Sequence, residues 1–185
     1  NDSAYESALS LNDKGIKVEA VVDIRKQSET NLEKRVIDAG IKIYWEHTVV
    51  DTSGYKRLNN VSIMKLSNDG TSVTGNKISI SCDCLGVAGG WTPAVHLYTQ
   101  SGNKLTFDED KKIFIPNKNN SDQISVGSCC GDFKLDVILK NLNEKLKVFL
   151  NITKTDFENI TVSNNQEISK RNIWLLPSDK ALGKT

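Results

Sequence analysis

Apolar residues in the first fifty positions alternate between helical spacing and short continuous runs. Ala4, Ala8 and Leu11 lie one helical turn apart, and Gly15 follows them as a stop signal. The pattern predicts a helix, a strand, a helix and a strand, over residues 3–14, 16–23, 29–38 and 41–50. Because strands that alternate with helices are joined by parallel crossovers, we predict an α/β fold.

The middle of the chain has the pattern of a β-meander. Residues 54–74 predict a hairpin with its turn at 67–71, and a buried strand follows from Ile78 to Val87. We expect the strand ending at Ala88 to join strands 16–23 and 41–50 in a parallel core. It leads into Gly89 and Gly90, where no side chain obstructs the approach of a cofactor. An ordinary strand followed by a turn is the alternative.

The remaining elements are shorter, apart from one helix. We predict strands over residues 112–115 and 124–127 and a helix over 135–150, where leucine and isoleucine recur at helical spacing. The chain from residue 151 is polar and weakly patterned, which favours a loop or linker.

The start of the first helix has features of a dinucleotide site. Ser3 and Glu6 have capping-box spacing, and the backbone N–H groups near Ser3 and Ala4 could face a pyrophosphate. In a dinucleotide-binding unit a strand and a glycine-rich turn precede this helix. Here the chain begins at the cap, so we expect a piece of a longer polypeptide that lacks the first strand.

Acidic residues near this helix leave the interpretation open. Asp23 follows the helix by about 20 residues, the spacing of an acid that binds the adenosine ribose. Asp23 and Arg25 could instead form a solvated strand end. Asp2 puts a negative charge where the pyrophosphate would lie, which favours a simple helix cap at Asp2 or Ser3.

Composition and charge exclude several classes of function. The formal net charge is +1, with 24 basic and 23 acidic residues interspersed, which does not favour a nucleic-acid or anionic-membrane partner. No apolar run is long enough to span a bilayer. The four cysteines do not have metal-ligand spacing, so we expect buried free thiols in a cytoplasmic protein and no metal. No catalytic constellation is present in the sequence.

Motifs spread along the chain resemble the α subunit of heterotetrameric sarcosine oxidase. They are the opening at residues 1–5, the strand end at 21–25, the stretch at 89–97 with 100–108, residues 125–127 with Gly131, and the closing stretch at 174–177. The resemblance implies an NAD-binding module in the middle of the α subunit, with flavin on a partner subunit. It also implies oxidation of sarcosine with transfer of the one-carbon unit to tetrahydrofolate, in a complex with other subunits.

Taken with this resemblance, the pattern predicts an α/β, Rossmann-like dinucleotide-binding fold of the two-domain flavoprotein reductase type, with an inserted β-meander. We assign residues 1–97 to the second nucleotide-type subdomain, 98–150 to the return segment of the first, and 151–185 to a linker. The candidate cofactor-binding residues are Asp2, Ser3, Ala4, Asp23, Arg25, Gly89 and Gly90.

Three functions follow from these observations. The first is an NAD-binding-type module of a flavin-dependent oxidase complex, in which the parent complex is an oxidoreductase and this piece alone has no activity. The second is a degenerate scaffold or interaction domain that no longer binds a nucleotide, which Asp2 and the absent glycines favour. The third is a subdomain of a disulfide-reductase-like flavoenzyme, which the absence of a Cys-x-x-Cys pair disfavours.

Overall fold

The computed structural model describes residues 1–117, 123–153, 173 and 175–178. The chain divides into two compact units at Gly89, a first unit that contains Asn1–Gly89 and a second unit that begins at Gly90. The described residues form a mixed α/β fold with three small sheets, which confirms the predicted class. The assignment of residues 1–97, 98–150 and 151–185 to nucleotide-type subdomains and a linker stays a prediction.

Within Asn1–Gly89 the first unit contains two helices and five strands. In chain order they are α1 (Ser3–Asp13), β1 (Ala20–Asp23), α2 (Asn31–Asp38), β2 (Lys42–Trp45), β3 (His47–Gly54), β4 (Leu58–Leu66) and β5 (Val73–Ser81). Strands β1 and β2 pair in parallel, with Val21 opposite Ile43, which confirms the predicted parallel crossover. Helices α1 and α2 supply Tyr5 and Val36 to the buried core beside these strands.

Two predicted strands are shorter than the sequence pattern indicated. The strand predicted over residues 16–23 begins only at Ala20, and the strand predicted over 41–50 is divided at Glu46 into β2 and β3, which lie in different sheets. Glu46 has φ 55°, in the left-handed region of backbone conformation. A residue in this region interrupts the pleat of a strand. Its N–H donates to the Arg25 carbonyl, and its own carbonyl accepts from the Leu66 N–H, which fixes this break.

Strands β3, β4 and β5 form the predicted β-meander. They pair antiparallel in the order β3-β4-β5, and the turn between β4 and β5 lies at residues 67–72. Val61, Ile63 and Leu66 of β4 are buried. The predicted hairpin is therefore confirmed.

The buried strand predicted from Ile78 to Val87 is wrong. Strand β5 ends at Ser81 and runs antiparallel to β4, so it does not extend the parallel pair. The alternation of isoleucine and serine stops there, and the following residues have no regular secondary structure. Val87 is 82% exposed. In the described chain the parallel core therefore contains only β1 and β2.

The second unit contains α3 (His96–Gln100), β6 (Leu105–Asp108), β7 (Ile113–Pro116), a 3-10 helix (Gly127–Cys130) and α4 (Leu135–Leu150). Helix α4 has the predicted bounds, and β7 corresponds to the strand predicted at residues 112–115. The strand predicted at 124–127 is wrong, because Gly127 has φ 80° and starts the 3-10 helix. The pattern did not indicate α3. Most of residues 151–185, including Trp174, lies outside the described residues.

Gly54→Ala is expected to destabilise the β-meander by about 2 kcal/mol or more. Gly54 has φ 149°, and an added Cβ would overlap the carbonyl oxygen of Arg57 in the connection to β4. A side chain at such a position is strained by about 1–3 kcal/mol before the steric overlap is added. Urea unfolding followed by circular dichroism measures the loss. Gly86→Ala, with open space around its added Cβ, is the control and is expected to change stability by less than about 0.5 kcal/mol.

Candidate functional site

Four side chains meet at the carboxyl end of β1. Asp23 is the last residue of this strand, Arg25 lies two residues beyond it, and Asp2 and Tyr5 come from the start of α1. We call Asp2, Tyr5, Asp23 and Arg25 the Arg25 cluster. The carboxyl ends of parallel strands are where α/β proteins bind ligands, so the cluster occupies the edge at which a dinucleotide site is expected.

Hydrogen bonds occupy both carboxylate oxygens of Asp23. The Tyr5 hydroxyl donates to Oδ2 at 2.8 Å. The Arg25 backbone N–H donates to Oδ1 at 2.8 Å, and its Nη2 donates to Oδ2 at 2.8 Å. The Arg25 Nε lies 3.0 Å from Oδ1 and 3.1 Å from Oδ2. Asp23 is only 7% exposed, so these donors replace the water that an exposed carboxylate would bind.

Arg25 joins the strand end to the start of α1. Its Nη1 donates to the Asp2 carboxylate at 2.6 Å, while its other groups contact Asp23. The guanidinium also lies 6.0 Å from the centroid of the Tyr5 ring, on the aromatic face that attracts cations. One buried cation therefore bridges two carboxylates from two elements of the fold.

The cluster changes the protonation equilibria of its members. Burial alone would raise the pKa of Asp23, but hydrogen bonds from the side chain and backbone of Arg25 hold it below its ordinary value. Burial and the charge of Asp23 raise the pKa of Tyr5 well above that of a free tyrosine. Burial would lower the pKa of Arg25, but its bonds to Asp23 and Asp2 raise it. At neutral pH Asp23 is therefore a carboxylate, Arg25 a guanidinium and Tyr5 a neutral phenol.

The structure revises the predicted roles at the start of α1. Asp2 occupies the N-cap position, but its side chain does not cap the helix, and it pairs with Arg25. The predicted capping box of Ser3 and Glu6 is wrong, because the Ser3 hydroxyl donates to the Asn1 side chain at 2.5 Å. The Ala4 N–H donates to the Asn1 carbonyl at 3.3 Å. The hypothesis that Asp23 and Arg25 form a solvated strand end is also wrong, since both are buried.

The two candidate glycines lie at the division between the units. Gly89 is the last residue of the first unit, and a Cβ built on it meets no atom within 4 Å. Its neighbour Ala88 accepts a hydrogen bond at 3.4 Å from the Asn1 nitrogen, which brings the chain before Gly89 close to the start of α1. Gly90 belongs to the second unit and has φ 134°.

Sequence reasoning missed two buried residues near this edge. Tyr5 is fully buried and binds Asp23, a contact across 18 positions that no local motif signals. Glu33 is 1% exposed and forms a true capping box with Thr30 at the start of α2. Its carboxylate also accepts from the Trp45 Nε1 at 3.0 Å. The Thr-x-x-Glu spacing could have identified Glu33 as a member of a capping box.

The cysteines are free, and the surface openings are lined by residues other than those of the Arg25 cluster. All four cysteines are free thiols, but the prediction that they are buried is wrong, since Cys84 is exposed and the other three are half-buried. Among the described residues, no three histidine, cysteine or acidic side chains are placed to hold a metal ion. An open polar cleft of about 480 Å³ is lined by Glu19, Ala20 and Ser79–Ser81, and thus lies at the amino end of β1.

No helix in the described part of the chain combines the length and the apolar character needed to cross a bilayer.

Comparison with known proteins confirms the resemblance to sarcosine oxidase. The chain is 32% identical over 135 residues to sarcosine oxidase subunit alpha of Corynebacterium sp. (strain P-1), a match of 72% of this chain and 14% of the relative. It is 28% identical over 131 residues to the same subunit of Corynebacterium sp. (strain U-96), covering 71% and 13%. It is 28% identical over 115 residues to that of Rhizobium meliloti (strain 1021), covering 62% and 10%.

The matched stretch is thus about one-seventh of the length of the first of these relatives, and less of the others. No family model matches the chain.

Proposed function

We propose that this chain is an NAD-binding-type α/β module of a sarcosine oxidase α subunit. The similarity to three such subunits supports the proposal. In this proposal the module has a Rossmann-like fold of the two-domain flavoprotein reductase type. The complex oxidatively demethylates sarcosine and passes the one-carbon unit to tetrahydrofolate. Flavin on a partner subunit carries out the amine oxidation, and this chain supplies no catalytic residue. A cytoplasmic location fits the four free thiols.

One observation carries the dinucleotide part of the proposal. Asp23 lies at the carboxyl end of a parallel strand, beside the first turn of α1. An acid at the strand end and a helix N-terminus beside it are the two groups that bind ribose and pyrophosphate in dinucleotide folds. The backbone around Ser3, Ala4 and Gly89 would line the same ligand.

Ribose binding at Asp23 would require an exchange of partners. A ribose hydroxyl donates to a carboxylate, and the Tyr5 hydroxyl and Arg25 already donate to both oxygens of Asp23. The sugar would have to replace the Tyr5 hydroxyl, since Arg25 is held by two carboxylates. Asp2 would also lie near the pyrophosphate, with its charge partly compensated by Arg25.

The hydrogen bonds that already occupy both oxygens of Asp23 favour a second candidate function, a scaffold that retains the fold without binding a nucleotide. In this function the Arg25 cluster only holds α1 to the end of β1. A buried carboxylate with every donor supplied by the protein gains nothing from a ligand unless that ligand makes a better hydrogen bond than Tyr5.

We expect the chain to bind NAD with a dissociation constant no tighter than about 0.1 mM. Association costs several kcal/mol, and the described contacts are partial and must first lose existing partners. Isothermal titration calorimetry with NAD measures the affinity. Asp23→Asn is the matched variant, because it keeps the shape of the side chain and removes its charge.

The outcomes separate the two candidates. Weak binding of NAD that Asp23→Asn removes supports the dinucleotide module. Absence of any NAD-dependent heat at millimolar ligand would contradict it and favour the scaffold. Micromolar binding would show that the exchange at Asp23 costs far less than proposed.

A further inference from the structure

Two adjacent cysteines in the second unit form a dithiol that the proposed function does not use. Cys129 and Cys130 are consecutive residues of the 3-10 helix that precedes α4, and both are half-buried. Their Cα atoms are therefore separated by about 3.8 Å, one peptide unit. The Cys129 thiol donates to the Val126 carbonyl at 3.1 Å, which orients it within the turn.

The residues on either side of this dithiol give the turn its shape. Gly127 has φ 80° and Gly131 has φ 71°, so glycines in the left-handed region flank the two cysteines. A Cβ on Gly131 would lie 2.5 Å from Cδ1 of Ile113 on β7, which packs the turn against the hairpin. The two sulfurs are thus presented by a short turn that neighbouring packing holds in place.

Burial and neighbouring groups keep the Cys130 thiol protonated at neutral pH. Burial, together with the neighbouring Cys129, which hydrogen-bonds to it, raises the pKa of Cys130 to about 11, while the charge of Lys145 opposes the shift. Lys145 Nζ donates to the Ser125 carbonyl at 2.5 Å. The Asp132 carboxylate also faces this region and pairs with Lys111 at 3.2 Å. A protonated thiol is a poor nucleophile toward alkylating agents and peroxide.

We propose that Cys129 and Cys130 form a two-sulfur binding site for monosubstituted trivalent arsenicals. In the reaction, two S–H bonds break and two As–S bonds form at one arsenic atom. The oxygen of the arsenical leaves as water with both thiol protons, and no electrons are transferred. The product is a closed ring that contains both sulfurs and arsenic.

This ligand class fits the site better than a divalent metal ion. A structural zinc site needs four protein ligands, and the described residues offer no group of even three suitable side chains. A monosubstituted arsenical needs two sulfurs only. The second As–S bond forms within one molecule, so the high effective concentration of the second thiol favours closure of the ring.

The other two cysteines provide an internal comparison. Cys82 and Cys84 are separated by Asp83, in a segment without regular secondary structure, and Cys84 is exposed. The Asp83 carboxylate pairs with Arg57. The chain bends at Asp83, and the Cys84 backbone hydrogen-bonds to the Cys82 side chain, so this pair lies in an irregular bend, whereas the adjacent pair lies in a 3-10 helix.

Phenylarsine oxide is the probe for this site. The full chain, reduced and then freed of reductant, is titrated with the probe, and intact mass spectrometry under non-denaturing conditions counts the adducts. Competition with ethanedithiol gives the affinity. The variants are Cys129→Ser, Cys130→Ser and the control Cys82→Ser/Cys84→Ser, each checked for native circular dichroism before titration.

We expect one arsenical per wild-type chain and an unchanged affinity in the Cys82→Ser/Cys84→Ser control. Either Cys129→Ser or Cys130→Ser is expected to weaken binding by about 100-fold, because the ring can no longer close. Retention of the adduct in these two variants would overturn the proposal. Loss of the adduct in the control would also overturn it, because the arsenical would then bind at the Cys82 and Cys84 pair. No adduct on the wild-type chain would overturn it as well.

Discussion

Arg25→Leu is expected to destabilise the first unit by about 3–5 kcal/mol, the cost of leaving a buried carboxylate without its cation. Arg25 donates to Asp23 through Nε, Nη2 and its backbone N–H, and to Asp2 through Nη1. Leucine has about the right volume for the space but keeps only the backbone donor. Urea unfolding at pH 7, followed by circular dichroism, measures the loss.

The control for this variant is Arg35→Leu, which changes an exposed arginine of α2. Its expected effect is within about 0.5 kcal/mol, as for other surface substitutions. Equal losses in the two variants would show that the Arg25 cluster has no special stabilising role.

The pH dependence of Arg25→Leu provides a second readout. In the wild-type chain the pKa of folded Asp23 is lowered, so its contribution to stability is present above the unfolded value of about 4 and is lost as the pH falls through the lower folded value. Without Arg25, burial raises the pKa of Asp23, and protonation relieves the buried charge. The stability difference between variant and wild type should therefore shrink as the pH falls toward 4.

Glu33→Ala is expected to cost about 3 kcal/mol. The Glu33 carboxylate accepts from the Thr30 N–H at 2.9 Å, from the Ser28 N–H at 3.2 Å and from the Trp45 Nε1 at 3.0 Å. Loss of a cap costs about 1 kcal/mol, and each buried donor left without a partner costs about 1–3 kcal/mol. Urea unfolding measures the total, and the change in Trp45 fluorescence reports the lost indole contact.

Glu6→Ala is the matched control, since Glu6 lies in the first turn of α1 but forms no capping box. It is expected to cost about 0.5 kcal/mol or less, the value of an exposed acid near a helix N-terminus. A loss at Glu33 no larger than the loss at Glu6 would contradict the buried network of α2.

Elements with strong local periodicity could be predicted from the sequence. The leucines and isoleucine of α4 recur at helical spacing, and the helix has the predicted bounds. The parallel pairing of β1 and β2 follows from the crossover through α2. The break at Glu46 could not be predicted, because only tertiary hydrogen bonds to Arg25 and Leu66 select its left-handed conformation.

Apolar content misled the prediction around residues 82–88. Leu85, Val87 and Ala88 gave this segment the composition of a strand, but no neighbouring strand pairs with it in the described chain. A strand depends on partners distant in sequence, so composition alone does not fix where it ends. The strand ends where pairing with β4 ends, at Ser81.

The candidate site was only partly visible in the sequence. The spacing from the α1 start to Asp23 correctly placed an acid at the carboxyl end of β1. The spacing could not show that the acid is buried, or that Tyr5 and Arg25 occupy its oxygens. These contacts arise when α1 packs on β1, so they depend on tertiary structure rather than on a motif.

The most direct test asks whether Asp23 accepts a hydrogen bond from the ribose of a bound dinucleotide. It is a calorimetric titration with NAD of the wild-type chain and of Tyr5→Phe. Tyr5→Phe keeps the buried ring and removes the hydroxyl that competes for Asp23 Oδ2. We expect the wild-type dissociation constant to be no tighter than about 0.1 mM. The variant should bind about tenfold more tightly, because a hydrogen bond to a charged group contributes about 1.5 kcal/mol or more. Equal affinities in the two proteins would contradict a ribose-binding role for Asp23.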